Sequence, residues 1–267
     1  MENSRIITLL TDFGLKDPFA GIMKGVIYGI NPDAILVDIT HDVRPHDILK
    51  AALILGSAYH YFPRGTIHLV VVDPGVGSLR RPVLAETKDY CFVAPDNGVL
   101  SRIYGDSGFK RVVEITSKEF FLEEVSRTFH GRDIFAPVAS WLSKGKEISA
   151  FGKEIEDFVK IPIPEPKVLD SHRIKGEIIY VDSFGNLVSN ITQSLYDKKA
   201  PPSAKGIVIN AGPFEIRTIV RSYLEGEKEK ASALFNSWGH LEIFVPLKSA
   251  CKTLNMGKGQ EITVAFI

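Results

Sequence analysis

Polar side chains come in short bursts directly after apolar runs in the first half of the chain. Thr11-Asp12-Phe13-Gly14 follows RIITLL, Asp38 to Asp42 (DITHD) follows AILV, and Asp73-Pro74-Gly75-Val76-Gly77-Ser78 with Arg80 follows IHLVVV. Further along stand Phe129-His130-Gly131-Arg132-Asp133 and Asp182-Ser183-Phe184-Gly185-Asn186. Ionised aspartates are acceptors for hydroxyl and ammonium groups, a guanidinium stays charged at any ordinary pH, and a histidine can orient or carry a proton. Together they could hold a polar small molecule and activate a nucleophile. Each piece also has a structural reading. An aspartate after a strand is an ordinary turn or cap residue, Asp133 can cap the helix that follows it, and DSFGN reads equally well as a hairpin turn. The glycines of DPGVGS invite a phosphate, yet neither GxxxxGK[ST] nor a helix-opening GxGxxG occurs. His41 and His46 with Asp38, Asp42 and Asp47 match no zinc or calcium spacing, so no metal site is expected.

The elements that must carry these residues follow from hydrophobic period. Buried strands are expected at 5–10, 34–37 and 67–72, alternating with helices at 18–28, with Asp17 as N-cap and Pro18 at the first helical position, and at 47–61. Strand, helix, strand, helix, strand implies crossover connections, hence a mainly parallel sheet covered by helices. Ligands of such sheets sit beyond the carboxyl ends of the strands, which would bring Asp12, Asp38 and Asp73 to one edge. More strands are expected at 83–86, 90–93 and 111–115, and a helix near 133–142. The stretch FVKIPIPEPKVLDSH, with prolines at 162, 164 and 166, has the extended, donor-poor character of a linker. Beyond it EIIYVD, LVSNIT, GIVIN, FEIRTIV, LEIFV and EITVAFI read as short strands of a small all-β, barrel-like domain. The expected organisation is an α/β domain at 1–157, a linker at 158–172 and a β domain at 173–267.

Composition narrows the function classes. The 267 residues are 45% apolar, with 32 basic and 32 acidic side chains. That is the profile of a globular protein with a core, and the cancelled charge offers no field for nucleic acid or an anionic membrane. No apolar run is long enough to span a bilayer and no secretory leader is visible, so a cytoplasmic location is expected. Cys91 and Cys251, in the apolar settings DYCFVAP and KSACKTL, read as small core residues rather than a disulfide or a metal pair.

Six segments in this order, TDFGLKDPFAGIMKG, VDPGVGSLRR, APDNGVL, FHGRDIFAP, VDSFGNLVSNI and FNSWGHLEIFV, resemble the S-adenosyl-L-methionine (SAM) hydrolases that form adenosine, relatives of SAM-dependent halogenating enzymes. The resemblance implies hydrolysis of SAM to adenosine and methionine, with SAM as substrate and no further cofactor. It implies a homotrimer whose site lies between the α/β domain of one subunit and the β domain of its neighbour. The family's catalytic trio falls on Asp73, Arg80 and His130. By the same mapping Asp12 would hold the ribose hydroxyls, and Asp17 and Asp182 the methionine ammonium end. Asn186, Ser237 and the backbone near Ala250 would meet the methionine and adenine ends. After Val245 the chain reads Pro246-Leu247-Lys248-Ser249-Ala250-Cys251, where relatives carry a Gly-Asn-Ala-Ala run. Two rival readings use the same pocket. Halogenating relatives have aromatic residues where Asp73 and His130 stand, the fluorinating ones a serine at Gly131, and Asp73 would repel a halide. A SAM or adenosine sensor would keep Asp12, Asp17 and Asp182 but has no use for a water held by Arg80 and His130. Should the trio not handle the water, His41 and Asp42 are the next candidates.

Overall fold

The computed structural model describes residues 6–267, so Arg5, the expected first residue of the first strand, lies outside the described residues. The chain divides into two compact units, one ending at Ile163 and the other Pro164–Ile267.

The first unit contains β1 (Ile6–Thr11), α1 (Phe19–Ile30), β2 (Ile35–Thr40), α2 (Ile48–Ala58), β3 (Ile67–Val71), β4 (Pro82–Thr87), β5 (Cys91–Pro95), β6 (Phe109–Ile115), α3 (Ala136–Ser143) and β7 (Gly152–Ile155). They build a seven-stranded sheet of order β2-β1-β3-β5-β4-β6-β7. The two-residue period of a strand splits its apolar residues between two layers. Ile7, Leu9, Leu69 and Val71 pack with Met23 and Ile27 of α1 and with Val138 and Ala139 of α3. Leu10, Val70 and Val72 join Ala51 and Leu55 of α2 in a second core cluster.

The sheet is mixed rather than mainly parallel. β2, β1, β3 and β5 pair in parallel, whereas the β5/β4, β4/β6 and β6/β7 pairs are antiparallel. Residues 88–90 alone join β4 to β5, and a parallel return needs a crossover of a dozen residues or more. Two smaller expectations also change. Helix α1 starts at Phe19 with Pro18 as its cap residue, and the amide of Ile22 bonds the Pro18 carbonyl, so Asp17 is not the N-cap. Asp47 does cap α2, accepting from the Lys50 amide at 3.0 Å. Asp38 lies inside β2 instead of beyond it, paired with Lys24 at 2.6 Å and 3.1 Å from His41 Nε2.

The second unit contains β8 (Lys167–Asp170), β9 (Arg173–Val181), β10 (Leu187–Thr192), α4 (Gln193–Lys199), β11 (Ile207–Ala211), β12 (Phe214–Ile216), β13 (Ser232–Phe235), β14 (His240–Phe244), α5 (Ala250–Thr253) and β15 (Glu261–Phe266). Its strands form an antiparallel sheet of order β12-β11-β15-β9-β10-β14-β13, with β8 added on β9. Ile219, just past β12, bridges Ala233 of β13, so the two edges meet and the sheet is a nearly closed barrel. FEIRTIV is therefore a short strand followed by irregular chain with one bridge at Ile219, and the edge is completed by β13, whose Ser-Ala-Leu-Phe carries little strand signal of its own.

His68 of β3 is fully buried, ringed by Tyr59, Phe62, Tyr90 and Phe92, with Nδ1 2.8 Å from Thr8 Oγ1. Burial pulls its pKa down to about 3. The native state thus keeps the ring neutral, while an unfolded chain takes up a proton below about 6.5. Between those values the unfolded state binds more protons, so stability falls as pH falls. Wild type compared with His68→Gln by urea unfolding at pH 7 and 4.5 should show about 2–3 kcal/mol of extra acid loss in the wild type. Equal losses in both would mean that His68 does not drive the acid sensitivity.

Candidate active site

Asp73 follows β3, and the loop that it opens returns through Arg80 into β4. Ser78 braces the loop, donating from Oγ to the Gly75 carbonyl at 2.7 Å and accepting from the Arg80 amide at 3.2 Å. Arg80 Nε reaches both Asp73 oxygens at 2.9 Å, and its Nη2 also donates to Oδ2. The same Nη2 donates to His130 Nδ1 at 2.8 Å. The Arg80 and Asp73 side chains are only 8% and 5% exposed, so the pair is well withdrawn from water. Phe135 lies under the guanidinium, 5.1 Å from its carbon to the ring centre, a cation–π contact. A guanidinium has donors only, so Nδ1 must be the acceptor and the proton of a neutral His130 sits on Nε2. Burial, then the neighbouring Arg80 charge, holds His130 below the ordinary histidine pKa and outweighs Asp73, Asp133 and the backbone of Ser126, so the neutral ring is favoured. Asp73 and His130 therefore meet through Arg80, which is the centre of the group.

His130 is delivered by a loop that packs against the Asp73 loop. Gly77 adopts φ +77°, and a Cβ there would lie 2.3 Å from the Arg127 carbonyl oxygen. Behind His130 the helix begins with a π turn, Gly131–Phe135, a widening often found at functional positions. Asp133 is fully buried within it and does not cap the helix. Its carboxylate accepts from the Ser126 amide at 2.8 Å and from Arg132, tying residues 126–130 to the helix. Burial raises the Asp133 pKa, but the Arg132 and Ser126 bonds outweigh it and leave the group below the usual carboxylate value. A Cβ on Gly131 would stand 3.1 Å from Met23 Sδ and 3.2 Å from Phe129 Cε2, so a side chain there requires these two to give by a few tenths of an ångström.

Asp12, at the end of β1, accepts from the His46 amide at 2.9 Å through one carboxylate oxygen. Beside it Phe13, Phe19 and Phe129 form an aromatic cluster with ring centres 5.3–5.8 Å apart, an apolar wall that joins the Asp12 and His130 loops. Sequence reasoning missed this wall, although Phe13 and Phe129 directly adjoin Asp12 and His130 in their motifs. Asp17 is exposed ahead of α1. His41 is buried, its Nδ1 2.8 Å from Thr11 Oγ1 and its ring beside Asp38, a bracing position; Asp42 is exposed.

In the second unit, Asp182 to Asn186 make the β9–β10 hairpin turn, so the structural reading of DSFGN holds. Asp182 accepts from the amides of Phe184 and Asn186 at 2.9 and 2.8 Å and from Asn186 Nδ2 at 3.0 Å. Asp182 and Asn186 nevertheless line a cavity of about 680 Å³ together with Phe184, Tyr223, Phe244, Pro246 and Ser249. Ala250 is fully buried at the start of α5, next to that lining, and the Cys251 amide bonds the Gly185 carbonyl at 2.8 Å. Ser237 is not among the lining residues and sits exposed in the turn between β13 and β14. Among the described residues no cluster of three or more His, Cys, Asp and Glu side chains is arranged to hold a metal, and no helix is long and apolar enough to cross a membrane.

Comparison with known proteins agrees with this division. Residues 7–152 match the SAM hydroxide adenosyltransferase N-terminal domain and residues 176–263 the corresponding C-terminal domain. The chain is 35% identical to an (R)-S-adenosyl-L-methionine hydrolase of Methanocaldococcus jannaschii over 98% of its own length and 96% of the relative's. A fluorinase of Nocardia brasiliensis is more distant, at 25% identity over 97% and 96% of the two chains. The crystal structure of an uncharacterized conserved protein from Thermotoga maritima superimposes with a TM-score of 0.90 at 37% identity, covering 97% of this chain and 99% of that one. With both halves matched in order across most of its length, the chain belongs to the SAM hydroxide adenosyltransferase family.

Proposed function

We propose that the protein hydrolyses SAM to adenosine and L-methionine. The observation that carries this reading is the Asp73–Arg80–His130 chain of hydrogen bonds, which sets a charged, oriented guanidinium at the carboxyl end of β3. The sulfonium already makes methionine a good leaving group, so the demand on the protein is to present an oxygen nucleophile in line with the ribose 5′ carbon. Arg80 favours hydroxide over water by its charge. Asp73 fixes the plane of the guanidinium by a charge-assisted pair. Because Nδ1 of His130 is engaged by Arg80, His130 orients the water rather than deprotonating it. The water oxygen bonds to C5′, the C5′–S bond breaks with its electron pair going to sulfur, and the proton leaves to solvent. No metal or second cofactor enters. Incubation with SAM in oxygen-18 water should yield adenosine labelled at the 5′ hydroxyl and free methionine, with no halogenated nucleoside when chloride or fluoride is added. SAM bound but not consumed would identify a sensor, and halide-dependent product a halogenase; either outcome removes the hydrolase reading.

In this reading Asp12 takes the ribose hydroxyls on the carboxylate oxygen that His46 leaves open, Asp17 and Asp182 serve the methionine ammonium, and Asn186, Ser237 and the backbone at Ala250 meet the two ends of the substrate. A ribose contact persists from ground state to transition state and acts as uniform binding. Asp12→Ala should therefore raise KM roughly tenfold or more, the scale of hydrogen bonds to a charged group, with a modest loss of kcat. A collapse of kcat at unchanged KM would assign Asp12 to the chemistry instead.

The working assembly is a cytoplasmic homotrimer whose site joins the first unit of one subunit to the second unit of the next. Sedimentation combined with activity should find adenosine formation confined to the trimer, and an active monomer would overturn this assembly.

A further inference from the structure

The loop from Asp73 to Arg80 leaves β3 and enters β4, yet these strands are not neighbours, because β5 lies between them. The chain that emerges from the end of β5, at Pro95, therefore comes out beneath the loop, between its two ends. Two consecutive residues there grip one end each. Asn97 Nδ2 donates to the Val72 carbonyl at 2.9 Å, fixing the peptide that leads into Asp73. At the other end, the Asp96 amide bonds the Arg81 carbonyl at 2.8 Å, and Asp96 Oδ2 takes Arg81 Nε and Nη2 at 3.1 and 2.7 Å. The Asp96 side chain is only 2% exposed. Its other oxygen accepts from the Val159 amide at 2.8 Å, and Arg81 Nη1 continues to Asp157 at 2.7 Å, so the anchor is itself held.

We infer that Asp96 and Asn97 are positioning residues for the reaction, a clamp that sets the distance between the two ends of the loop carrying Asp73 and Arg80. Neither side chain is bonded to Asp73, Arg80 or His130; Asn97 acts through the Val72 peptide that leads into Asp73, and Asp96 through the side chain and carbonyl of Arg81, next to Arg80. With Arg81 committed to Asp96, the adjacent Arg80 is free to turn to Asp73 and His130. Both residues belong to the APDNG segment, and the clamp is its part in the site. The inference rests on the hydrolase reading and adds to it the residues that keep the guanidinium in register.

The test is the kinetics of adenosine release by Asn97→Ala and Arg81→Lys, each in the wild-type and Arg80→Ala backgrounds, with thermal unfolding of every variant. A displacement of about 1 Å at a reacting group costs on the order of a hundredfold in rate, so each single variant should lose roughly ten- to a hundredfold in kcat, with KM for SAM within about twofold. In the Arg80→Ala background, where no guanidinium remains to be aimed, the same substitutions should change kcat by less than about threefold. Losses of equal size in both backgrounds, KM rising in step with the loss, or single variants within about threefold of wild type would each overturn the clamp. Arg81→Lys keeps the charge beside Asp96, so it supplies the answer if Asn97→Ala does not fold. Absence of adenosine formation by the wild-type protein is the separate failure of the hydrolase reading.

Discussion

Alanine at Arg80 or at His130 should each lower kcat for adenosine release by roughly 10² or more, the scale of one electrostatic or acid–base contribution, while KM for SAM stays nearly unchanged. Both side chains serve one nucleophile, and the structure makes Arg80 the common partner: Asp73 and His130 each bond the guanidinium. Their effects should accordingly be strongly non-additive, with the double variant little worse than the poorer single. Asp73→Ala belongs to the same unit and should lose a similar factor. Arg80→Ala also leaves the Asp73 carboxylate withdrawn from water without its partner, a situation that costs about 3–5 kcal/mol when a buried pair is broken. Arg80→Lys separates the two effects, since it retains the charge and loses the fork that reaches Asp73 and His130 together. It should restore most of the stability and little of the rate. His130→Asn supplies a carbonyl oxygen where Nδ1 accepts, and it should recover part of what His130→Ala loses if orientation of Arg80 is the larger share of the histidine's work. Steady-state kinetics with thermal unfolding decides: near-normal single variants, or losses that multiply in the double variant, would move water activation away from this group.

Much of the frame could be read from residue order. The short apolar runs at Ile6–Thr11 and Ile67–Val71, the helical stripes of α1 and α2, and the polar bursts after β1 and β3 are local patterns, and they place Asp12 and Asp73 at strand ends. The reversal of the sheet at β4 was not readable in the same way. A strand buried on both faces, such as Val83 to Thr87, has the same apolar character whether its neighbour runs parallel or antiparallel, and only the brevity of the 88–90 connection decides. β13 escaped notice because Ser232–Phe235 follows the charged run GEKEK and is stabilised by pairing with β14 rather than by propensity. At the site, residue types were visible and geometry was not. The bond from Arg80 to His130 spans 50 positions, and its direction settles the histidine tautomer, which no spacing rule supplies. In DSFGN the hairpin reading holds, and Asp182 both closes its turn and lines the cavity of the second unit.

The second large effect is expected at a residue with no functional group. Gly77 combines two demands: a left-handed φ of +77°, and a backbone approach so close that a Cβ would stand 2.3 Å from the Arg127 carbonyl. The first demand alone costs a non-glycine residue about 1–2 kcal/mol. The second cannot be met by a side-chain rotation, because the obstructing atom is backbone; the 73–80 loop and the 126–130 segment must separate. Those two segments carry Arg80 and His130, whose contact is a single 2.8 Å bond. Gly77→Ala should therefore lower kcat by roughly 10², since about 1 Å of misplacement carries that penalty, while the loss of stability stays within a few kcal/mol. Gly75→Ala is the matched control. It sits in the same loop at an ordinary φ, and its Cβ would meet the Arg80 Cγ and Ser78 Oγ at 3.3 Å, side-chain atoms that can give by a few tenths of an ångström. Its loss should be markedly smaller. Kinetics on the two variants, with circular dichroism to establish folding, separates the cases. Equal losses at Gly75 and Gly77 would make general loop disturbance the cause, and normal turnover in Gly77→Ala would show that the spacing between the two segments does not set the rate.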